Sequence, residues 1–343
     1  MNYGKKGVRA KQKALNSKSQ KWGRKLALTC VRIMLVAVVG IGICGVAAGI
    51  GVFRGILSST PTIRLSDVVA VGEATIVYDS EGNEIDQYVS TNSNRLSVGM
   101  DEIPDYMGKA FVAIEDERFY QHNGIDFKSI LRAGYQFLKT GGEEAQGAST
   151  ITQQLLKNTV FTDWTSEGNN KIKKIKRKIQ EQYLALEITK YYSKDEILLR
   201  YMNAINLGQN TLGVESASLR YFGKHCSDLT ISECAVIASI TQNPSKYNPI
   251  RHPEENAKRR ETCLKKMLEL GFISQAQYDE AVADTDAVYE RIGLYDIDYQ
   301  EANATTGSYF SDAVYEQVKQ DLILSGSIYS FAIPLKILPQ FIT

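Results

Sequence analysis

The segment AFVAIEDERFYQHNGID, residues 110–126, places three consecutive acidic residues, Glu115 to Glu117, directly after an apolar run. Two aromatic residues, a histidine and a glycine follow at once. Such a run has two interpretations: the acids form the solvated face of a helix, or one carboxylate is a catalytic base. The segment alone favours neither interpretation, so the rest of the chain has to distinguish them.

Glu115 has the most apolar surroundings of the three acids if the segment is helical to about residue 120. Side chains three and four positions apart are neighbours on a helix, and those around this carboxylate are Phe111, Val112, Arg118 and Phe119. Two aromatic rings and a valine would exclude water and raise the pKa of Glu115. A carboxylate with a raised pKa suits general-base chemistry near neutral pH. If one of the three acids is a base, Glu115 is therefore the best candidate, but this stretch alone leaves a solvated acidic face equally open.

Residues 33–53, IMLVAVVGIGICGVAAGIGVF, are 21 uncharged residues, and as a helix they would cross a hydrocarbon core of about 30 Å. Residues 1–25 hold nine Lys and Arg and no acidic residue, which predicts a cytoplasmic N-terminus. The rest of the chain would then lie outside the cell. A cleaved signal peptide or a buried core helix is the alternative, but the segment exceeds a typical signal h-region and lacks a clear cleavage site.

The patterning predicts a mainly helical chain. Residues 74–90 alternate like two short strands around a Ser-Glu-Gly-Asn turn, and helical patterns follow from residue 101. The predicted parts are a basic tail (1–32), a transmembrane helix (33–53), a linker (54–73), a mainly helical domain (74–270), a helical linker (271–322) and an atypical tail (323–343).

Capping residues indicate several helix starts. Ser149 or Thr150 would cap a helix over residues 149–161, and a basic amphipathic helix is expected at about 169–190. Three capping boxes indicate further starts: Ser193…Glu196, Thr230…Glu233 and Ser274…Gln277.

Three of the five cysteines, Cys226, Cys234 and Cys263, lie in the predicted external part. Their number is odd and their spacing matches no zinc site. We expect them to be small buried apolar residues, although the spacing leaves a bridge between Cys226 and Cys234 open.

The segment QGASTITQQLLKN, residues 146–158, predicts a surface for a sugar or a phosphate. Gly147 lets a ligand approach the backbone, and a helix that begins here would offer free N–H groups and the positive end of its dipole. Lys157 adds a positive charge. Uncharged hydrogen-bonding side chains share the segment: Ser149, Thr150, Thr152, Gln153 and Gln154. An ordinary capped helix after a loop is the alternative.

A second acid, Glu181, lies in the basic segment RKIQEQYLALE. It follows Arg177 by four positions and Lys178 by three, so the three side chains share a helix face. A solvated ladder of salt bridges is one interpretation. The other is a diphosphate-binding surface, because such cations recognise polyanions.

Five segments together resemble the peptidoglycan glycosyltransferases, glycosyltransferase family 51. The segments occur in the family's order, and the resemblance covers roughly residues 74–270, most of the predicted external chain, which identifies that part as a glycosyltransferase domain. They are EDERFYQHNGID, GASTITQQLLKN, RKIQE, SKDEILLRYMNAINLG and GVESASLRYFGKHCSDLTISECAVIASITQNPSKYNP. The N-terminal anchor also resembles that of class A penicillin-binding proteins and their monofunctional relatives.

The resemblance implies a lysozyme-like helical domain with a small β element behind one transmembrane helix. It implies an enzyme that polymerises lipid II, a disaccharide-pentapeptide on a polyprenyl diphosphate, into β-1,4-linked glycan. Glu115 would deprotonate the acceptor's 4-hydroxyl. Glu181 would either orient the leaving diphosphate or hold a divalent cation, Mg²⁺ or Mn²⁺; no organic cofactor is expected.

The resemblance also implies the binding residues. Lys157, Arg177 and Lys178 would bind the diphosphate, whereas Phe119 and His122 are expected to be structural. The other predicted substrate-binding residues are Asp116, Gly147, Ser149, Thr150, Gln153, Gln154 and Asn203. Lipid II, the growing strand, the bilayer of a bacterial cell membrane and other cell-wall synthesis proteins are the expected partners, and nucleic acid is not.

Two rival functions follow from the same residues. A lysozyme-like hydrolase or lytic transglycosylase would share one glutamate and the helical fold, but would not need STITQQ, the basic helix or a retained anchor. The second rival function is that of an inactive, membrane-anchored partner in cell-wall synthesis, although no residue of the predicted site is missing. Because the chain contains no Ser-x-x-Lys motif, we expect a bifunctional enzyme whose transpeptidase domain was lost by truncation or frameshift.

Overall fold

The computed structural model describes residues 4–15, 18–63, 68, 75–78, 84–88, 95–140, 147–168, 170–209, 211–293, 317–318, 320 and 336–337. The chain divides into two compact units, Met1–Pro61 and Thr62–Thr343.

The first unit consists of helices α1 (Lys5–Leu15) and α2 (Lys18–Ser58). The predicted transmembrane segment lies within α2, which is long and apolar enough to cross a bilayer over Trp22–Ser58. Its apolar side chains are exposed along that length, as expected of a helix that packs against lipid rather than protein. Because α2 continues to Ser58, the first residues of the predicted linker are helical.

The second unit is helical, as predicted. Its helices in the described residues are α3 (Asp105–Glu115), α4 (Phe127–Thr140), α5 (Ile151–Thr159), α6 (Lys171–Ile188), α7 (Lys194–Ala204), α8 (Val214–Phe222), α9 (Ile231–Ile240), α10 (Pro253–Glu269), α11 (Gln275–Ala283) and α12 (Thr285–Arg291).

A small sheet accompanies these helices. The two predicted strands are confirmed as an antiparallel pair, β1 (Thr75–Tyr78) and β2 (Glu84–Tyr88). A two-residue strand, β3 (Lys336–Ile337), pairs with β1 in parallel, so the order is β2-β1-β3. The predicted turn at residues 80–83 and most of the predicted tail lie outside the described residues.

Helix α9 forms the centre of the core. Every residue from Ser232 to Ile240 is buried, and a helix that is apolar all round belongs inside a protein. Helices α3 and α10 pack against it. The three cysteines of the second unit are buried and reduced, as predicted for small apolar residues, and burial raises the pKa of each thiol, to about 12 for Cys263.

Capping explains where the helices begin. The three predicted capping boxes are confirmed at the starts of α7, α9 and α11, and Thr150 forms a further box with Gln153 at the start of α5. The predicted end of α3 is wrong. Asp116 adopts φ −156° and ψ 71°, so α3 stops at Glu115, and Phe119–Gln121 form a separate 3-10 turn.

Gly124 brings the first family segment, EDERFYQHNGID, against α6. Its φ of +88° is a conformation that side chains rarely adopt, and a Cβ atom there would lie 2.2 Å from the Ala185 carbonyl oxygen. Only glycine satisfies both conditions. This contact joins the segment after Glu115 to the helix that carries Glu181.

Candidate active site

Glu115 is the last residue of α3, and its carboxylate receives three hydrogen bonds. Gln154 Nε2 on α5 donates at 2.8 Å, Thr241 Oγ1 after α9 at 2.5 Å, and Arg259 Nη2 on α10 at 3.0 Å. The Glu115 side chain is 11% exposed. Donors from three distant parts of the chain therefore hold one partly buried carboxylate. Its orientation is set before substrate arrives.

The predicted reason for choosing Glu115 is wrong in one respect. Because α3 ends at this residue, Arg118 and Phe119 do not share its helix face, and Phe119 is buried in the 3-10 turn instead. The carboxylate is surrounded by polar donors, with Phe111 and Val112 in the core behind it. What distinguishes Glu115 from Glu117 is its set of partners, since Glu117 pairs with Arg118, Arg132 and Lys266 at the surface.

Gln154 is itself fixed by a buried phenol. Tyr201 OH donates to Gln154 Oε1 at 3.2 Å, and the Tyr201 ring is fully buried with its edge against Phe111, 5.6 Å between centroids. A donor on the amide oxygen leaves the amide nitrogen to face Glu115. Gln154 thus donates to the candidate base, and its predicted contact with substrate stays untested.

Asp116 holds α5 in place. Its buried carboxylate accepts a hydrogen bond from Ile151 N, the first amide of α5, at 3.1 Å and lies 3.0 Å from His122 Nε2. A carboxylate at a helix N-terminus is favourable because of the helix dipole. The structure thus gives Asp116 contacts within the protein, and the prediction that it binds substrate stays untested.

The start of α5 is less available to a ligand than predicted. Ile151 N donates to Asp116 and Gln153 N donates to Thr150 Oγ1. The Thr150 hydroxyl also donates to Gly124 O at 2.7 Å. Both Thr150 and Gln153 are buried, so these two predicted binding residues form the cap of α5.

Glu181 is fully buried, at 0% exposure. Its oxygens accept hydrogen bonds from Arg177 Nη1 and, at 2.7 Å, from Lys178 Nζ. The predicted shared helix face is confirmed, but the alternative of a solvated salt-bridge ladder is wrong because no part of this carboxylate reaches solvent. A buried carboxylate needs such partners, since an unpaired one would be very costly.

Lys157, Arg177 and Lys178 form what we call the cation cluster. Lys178 Nζ donates to Ser149 Oγ at 3.0 Å, and Arg177 Nε donates to Glu167 Oε1 at 2.9 Å. The pKa of Lys157 is lowered by burial and then by the positive charge of Lys178. The cluster therefore carries three cations around Glu181 and Glu167, a surface suited to a polyanion.

Two predicted residues stand apart from these contacts. Gly147 is exposed, and nothing lies within 4 Å of where its Cβ would be. Asn203 is buried, donates to Val98 O at 2.9 Å and accepts from Val98 N at 3.2 Å. The structure gives Asn203 a role in holding the segment before α3, and its predicted contact with substrate stays untested.

The surroundings of Glu181 do not suit a divalent cation. Both of its oxygens already face Arg177 and Lys178, and Mg²⁺ prefers several oxygen ligands. In the described part of the chain, no group of three or more His, Cys, Asp or Glu side chains is placed so that it could hold a metal ion. No chemical step is therefore assigned to a metal, and the predicted Mg²⁺ or Mn²⁺ remains an expectation from the family resemblance.

The sequence reasoning missed Arg259 and Thr241. Arg259 lies 144 residues from Glu115 in the chain, in a charged stretch that looks like a solvated helix face. Its guanidinium also donates to Ser239 O at 3.1 Å and lies 5.2 Å from the Tyr247 ring. Thr241 follows α9 inside the fifth family segment, which is the one signal that pointed to it.

Comparison with known proteins places these residues within a described family. The family model for transglycosylases matches residues 81–268. Penicillin-binding protein 1A of Clostridium perfringens is 37% identical over 322 residues, which cover 91% of this chain and 37% of the relative. Penicillin-binding protein 1A of Clostridium botulinum (strain Hall) is 39% identical over 288 residues, 82% of this chain and 33% of the relative.

A relative from another genus gives the same result. Penicillin-binding protein 1F of Bacillus subtilis is 37% identical over 264 residues, which cover 76% of this chain and 34% of the relative. The chain spans about a third of the length of the curated relatives it matches.

Proposed function

The chain belongs to the transglycosylase family, and from this premise we propose that it polymerises lipid II into β-1,4-linked glycan strands during cell-wall synthesis. The observation that supports this most directly is the pairing of two sites by one helix. Helix α5 contacts Glu115 through Gln154, and the residue before its cap, Ser149, contacts Lys178 of the cation cluster. A base and a diphosphate-binding surface are thereby connected through a single element.

Glu115 acts as the base in this proposal. The 4-hydroxyl of the acceptor gives its proton to Glu115 as the oxygen attacks the anomeric carbon of the growing chain. A new C–O bond forms, the bond from that carbon to the diphosphate breaks, and its electron pair leaves on the diphosphate. Arg259, Thr241 and Gln154 hold the carboxylate throughout, so little reorganisation is needed.

The cation cluster binds the leaving group. Negative charge grows on the diphosphate as the bond breaks, and Lys157, Arg177 and Lys178 neutralise it. A diphosphate leaves without being protonated, unlike the alkoxide that a glycosidase must protonate. One base together with cations is therefore sufficient, and Glu181 keeps Arg177 and Lys178 in position.

The same contacts argue against a lysozyme-like hydrolase. Such an enzyme needs a carboxylic acid that donates a proton to the leaving oxygen. Here all three groups around Glu115 donate to it, so its oxygens serve as acceptors. An ionised carboxylate that accepts hydrogen bonds is the form in which a general base begins its reaction.

Helix α4 supplies a surface for the bilayer. Four side chains spaced by three or four positions are 66% to 83% exposed: Phe127, Leu131, Tyr135 and Leu138. A large exposed apolar face indicates contact with lipid or another protein, and both substrate and product carry lipid tails. We propose that α4 lies against the outer leaflet, with α2 as a single-pass anchor whose N-terminus is cytoplasmic.

Product analysis tests the function. Full-length protein in detergent would be incubated with labelled lipid II, and separately with finished glycan strands. The expected result is polymer in the incubation with lipid II and no cleavage in the incubation with finished strands. Cleaved strands would establish the hydrolase instead, and bound but unchanged lipid II would establish an inactive partner. For α4, Leu131→Asp with Leu138→Asp should reduce polymerisation in lipid vesicles but not in detergent; equal loss in both would refute the lipid contact.

A further inference from the structure

The cation cluster is already in contact with a neighbouring part of the same chain. The 3-10 helix Thr162–Glu167 follows α5, and its last residue, Glu167, places a carboxylate oxygen 2.9 Å from Arg177 Nε. The side chains of Arg177 and Glu167 are 11% and 13% exposed. The Glu167 carboxylate therefore already pairs with Arg177, a cation that should bind a phosphate in the proposed function.

Trp164 covers a second member of the cluster. Lys157 Nζ lies 3.7 Å from the centroid of the Trp164 ring. An ammonium over an indole face is attracted by the ring's quadrupole, and this attraction is strongest when water is excluded. One short segment thus contacts two of the three cations, with a carboxylate on one and an aromatic ring on the other.

These contacts leave hydrogen-bonding groups of Glu167 and Lys157 without partners in the part of the chain that the structure describes. Glu167 Oε2 is buried and has no hydrogen-bond partner among the described residues, which costs free energy. The indole also offers Lys157 no hydrogen-bond acceptor, and the pKa of Lys157 is lowered, by burial first and by Lys178 next. A ligand with several charged oxygens would satisfy Arg177 and Lys157 better than this segment does.

Gly168 and Asn170 connect the segment to α6. Gly168 has φ +53° and ψ −130°, a conformation that other residues rarely adopt, and nothing lies within 4 Å of where its Cβ would be. Two residues later, Asn170 caps α6 by accepting from Ile172 N and Lys173 N. The backbone N–H of Asn170 also donates to Glu167 O at 3.1 Å, so a ligand would have to displace the side chains of Glu167 and Trp164 rather than the whole segment.

We propose that Glu167 and Trp164 are internal competitors for the cation cluster, and that a diphosphate must displace both to bind. This inference rests on the proposed function, because the diphosphate is the ligand that function assigns to the cluster. It makes Glu167 and Trp164 determinants of donor affinity that act by opposing binding.

A titration with inorganic pyrophosphate tests the inference. The chain has two tryptophans, so Trp22→Phe leaves Trp164 as the single reporter in the full-length, detergent-solubilised protein. Pyrophosphate should change Trp164 emission saturably as the ammonium leaves the ring. In the same background, Glu167→Gln keeps the shape but removes the charge, and it should tighten pyrophosphate binding by about tenfold, as expected for losing one partly buried, charge-assisted contact.

Glu187→Gln is the matched control. Glu187 lies on α6 and pairs with Lys190 at 2.6 Å near the surface. Among the described residues it forms no ion pair with the cluster, so its loss should leave pyrophosphate affinity unchanged. Equal or weaker binding by Glu167→Gln than by the parent would overturn the inference, as would an absence of pyrophosphate binding by either protein. Calorimetry on the same samples would confirm each binding constant independently of fluorescence.

Polymerisation of lipid II, measured in parallel, separates this inference from the proposed function. Polymer from the parent without tighter binding by Glu167→Gln would refute the competition and leave the function intact. Tighter binding by Glu167→Gln without polymer would support the competition and refute the function.

Discussion

Arg259 is the residue whose removal most directly probes how Glu115 is held. Arg259→Gln removes the guanidinium 3.0 Å from Glu115 Oε1 while Gln154 and Thr241 remain. The Coulomb attraction at that distance is about 5–6 kcal/mol for an effective dielectric constant of 20. The cost of removing two partly buried ions from water offsets much of it, so the net loss is closer to that of one charge-assisted hydrogen bond, about 1.5–3 kcal/mol.

This loss should appear in kcat. If the whole of it is lost in the transition state, the rate falls about 10- to 100-fold. Because Arg259 contacts Glu115, which in this account touches only the acceptor hydroxyl, KM for lipid II should change little. Initial rates over a range of lipid II concentrations, with thermal unfolding to verify the fold, provide the measurement.

Lys266→Gln is the control for Arg259→Gln. Lys266 lies on the same helix, α10, and pairs at 3.5 Å with Glu117 at the surface, a kind of contact that contributes about 0–1 kcal/mol. Its loss should leave kcat nearly unchanged. A parental kcat for Arg259→Gln, or a loss confined to KM, would refute the role of Arg259 as a positioning residue.

Two further predictions concern stability. Burial lowers the pKa of Lys194 from 10.5 to about 8, so above pH 8 the unfolded state binds more protons at this site than the folded state does. The free energy of unfolding of the parent should therefore rise from pH 8 to pH 10 relative to that of Lys194→Met. Parallel profiles of unfolding free energy against pH for the two proteins would contradict this. Gly124→Ala places a Cβ 2.2 Å from Ala185 O and should destabilise the protein by about 2–4 kcal/mol with loss of activity, whereas Gly147→Ala should unfold at the parental temperature. A stable Gly124→Ala variant would show that the first family segment does not pack on α6 as described.

Local signals in the sequence were sufficient for much of the helical framework. Ser193, Thr230 and Ser274 begin helices because each satisfies free amides at a helix start, and that chemistry is complete within four residues. The face shared by Arg177, Lys178 and Glu181 follows from helical spacing alone. These predictions depend on neighbours in the chain, so the sequence contains all the information they need.

The surroundings of Glu115 depend on residues far away in the chain. Its hydrogen-bond partners come from α5, from the end of α9 and from α10, which only the packing of the core brings together. Asp116 ends α3 because its carboxylate bonds to Ile151 N, 35 positions later, and a helical pattern in the sequence contains no sign of that competing partner. The motif singled out this acid, and its role as the base stays a prediction, whereas the contacts that hold it could be seen only in the fold.

The segment that contacts the cation cluster shows the same limit. Trp164 and Glu167 lie in a polar stretch without helical periodicity, and nothing in their spacing indicates contact with Lys157 or Arg177. Both contacts arise because the 3-10 helix returns the chain over α6. The contacts of Trp164 and Glu167 with the cation cluster can be recognised only in the folded structure.

The most direct test of the central claim compares two adjacent glutamates in lipid II polymerisation. Glu115→Gln should reduce the initial rate by about 10²- to 10⁴-fold, the usual contribution of a general base. Glu117→Gln should remain within a few-fold of the parent, because that side chain is 32% exposed and pairs with cations at the surface. Near-parental activity of Glu115→Gln, or equal loss in both variants, would contradict the assignment of Glu115 as the base.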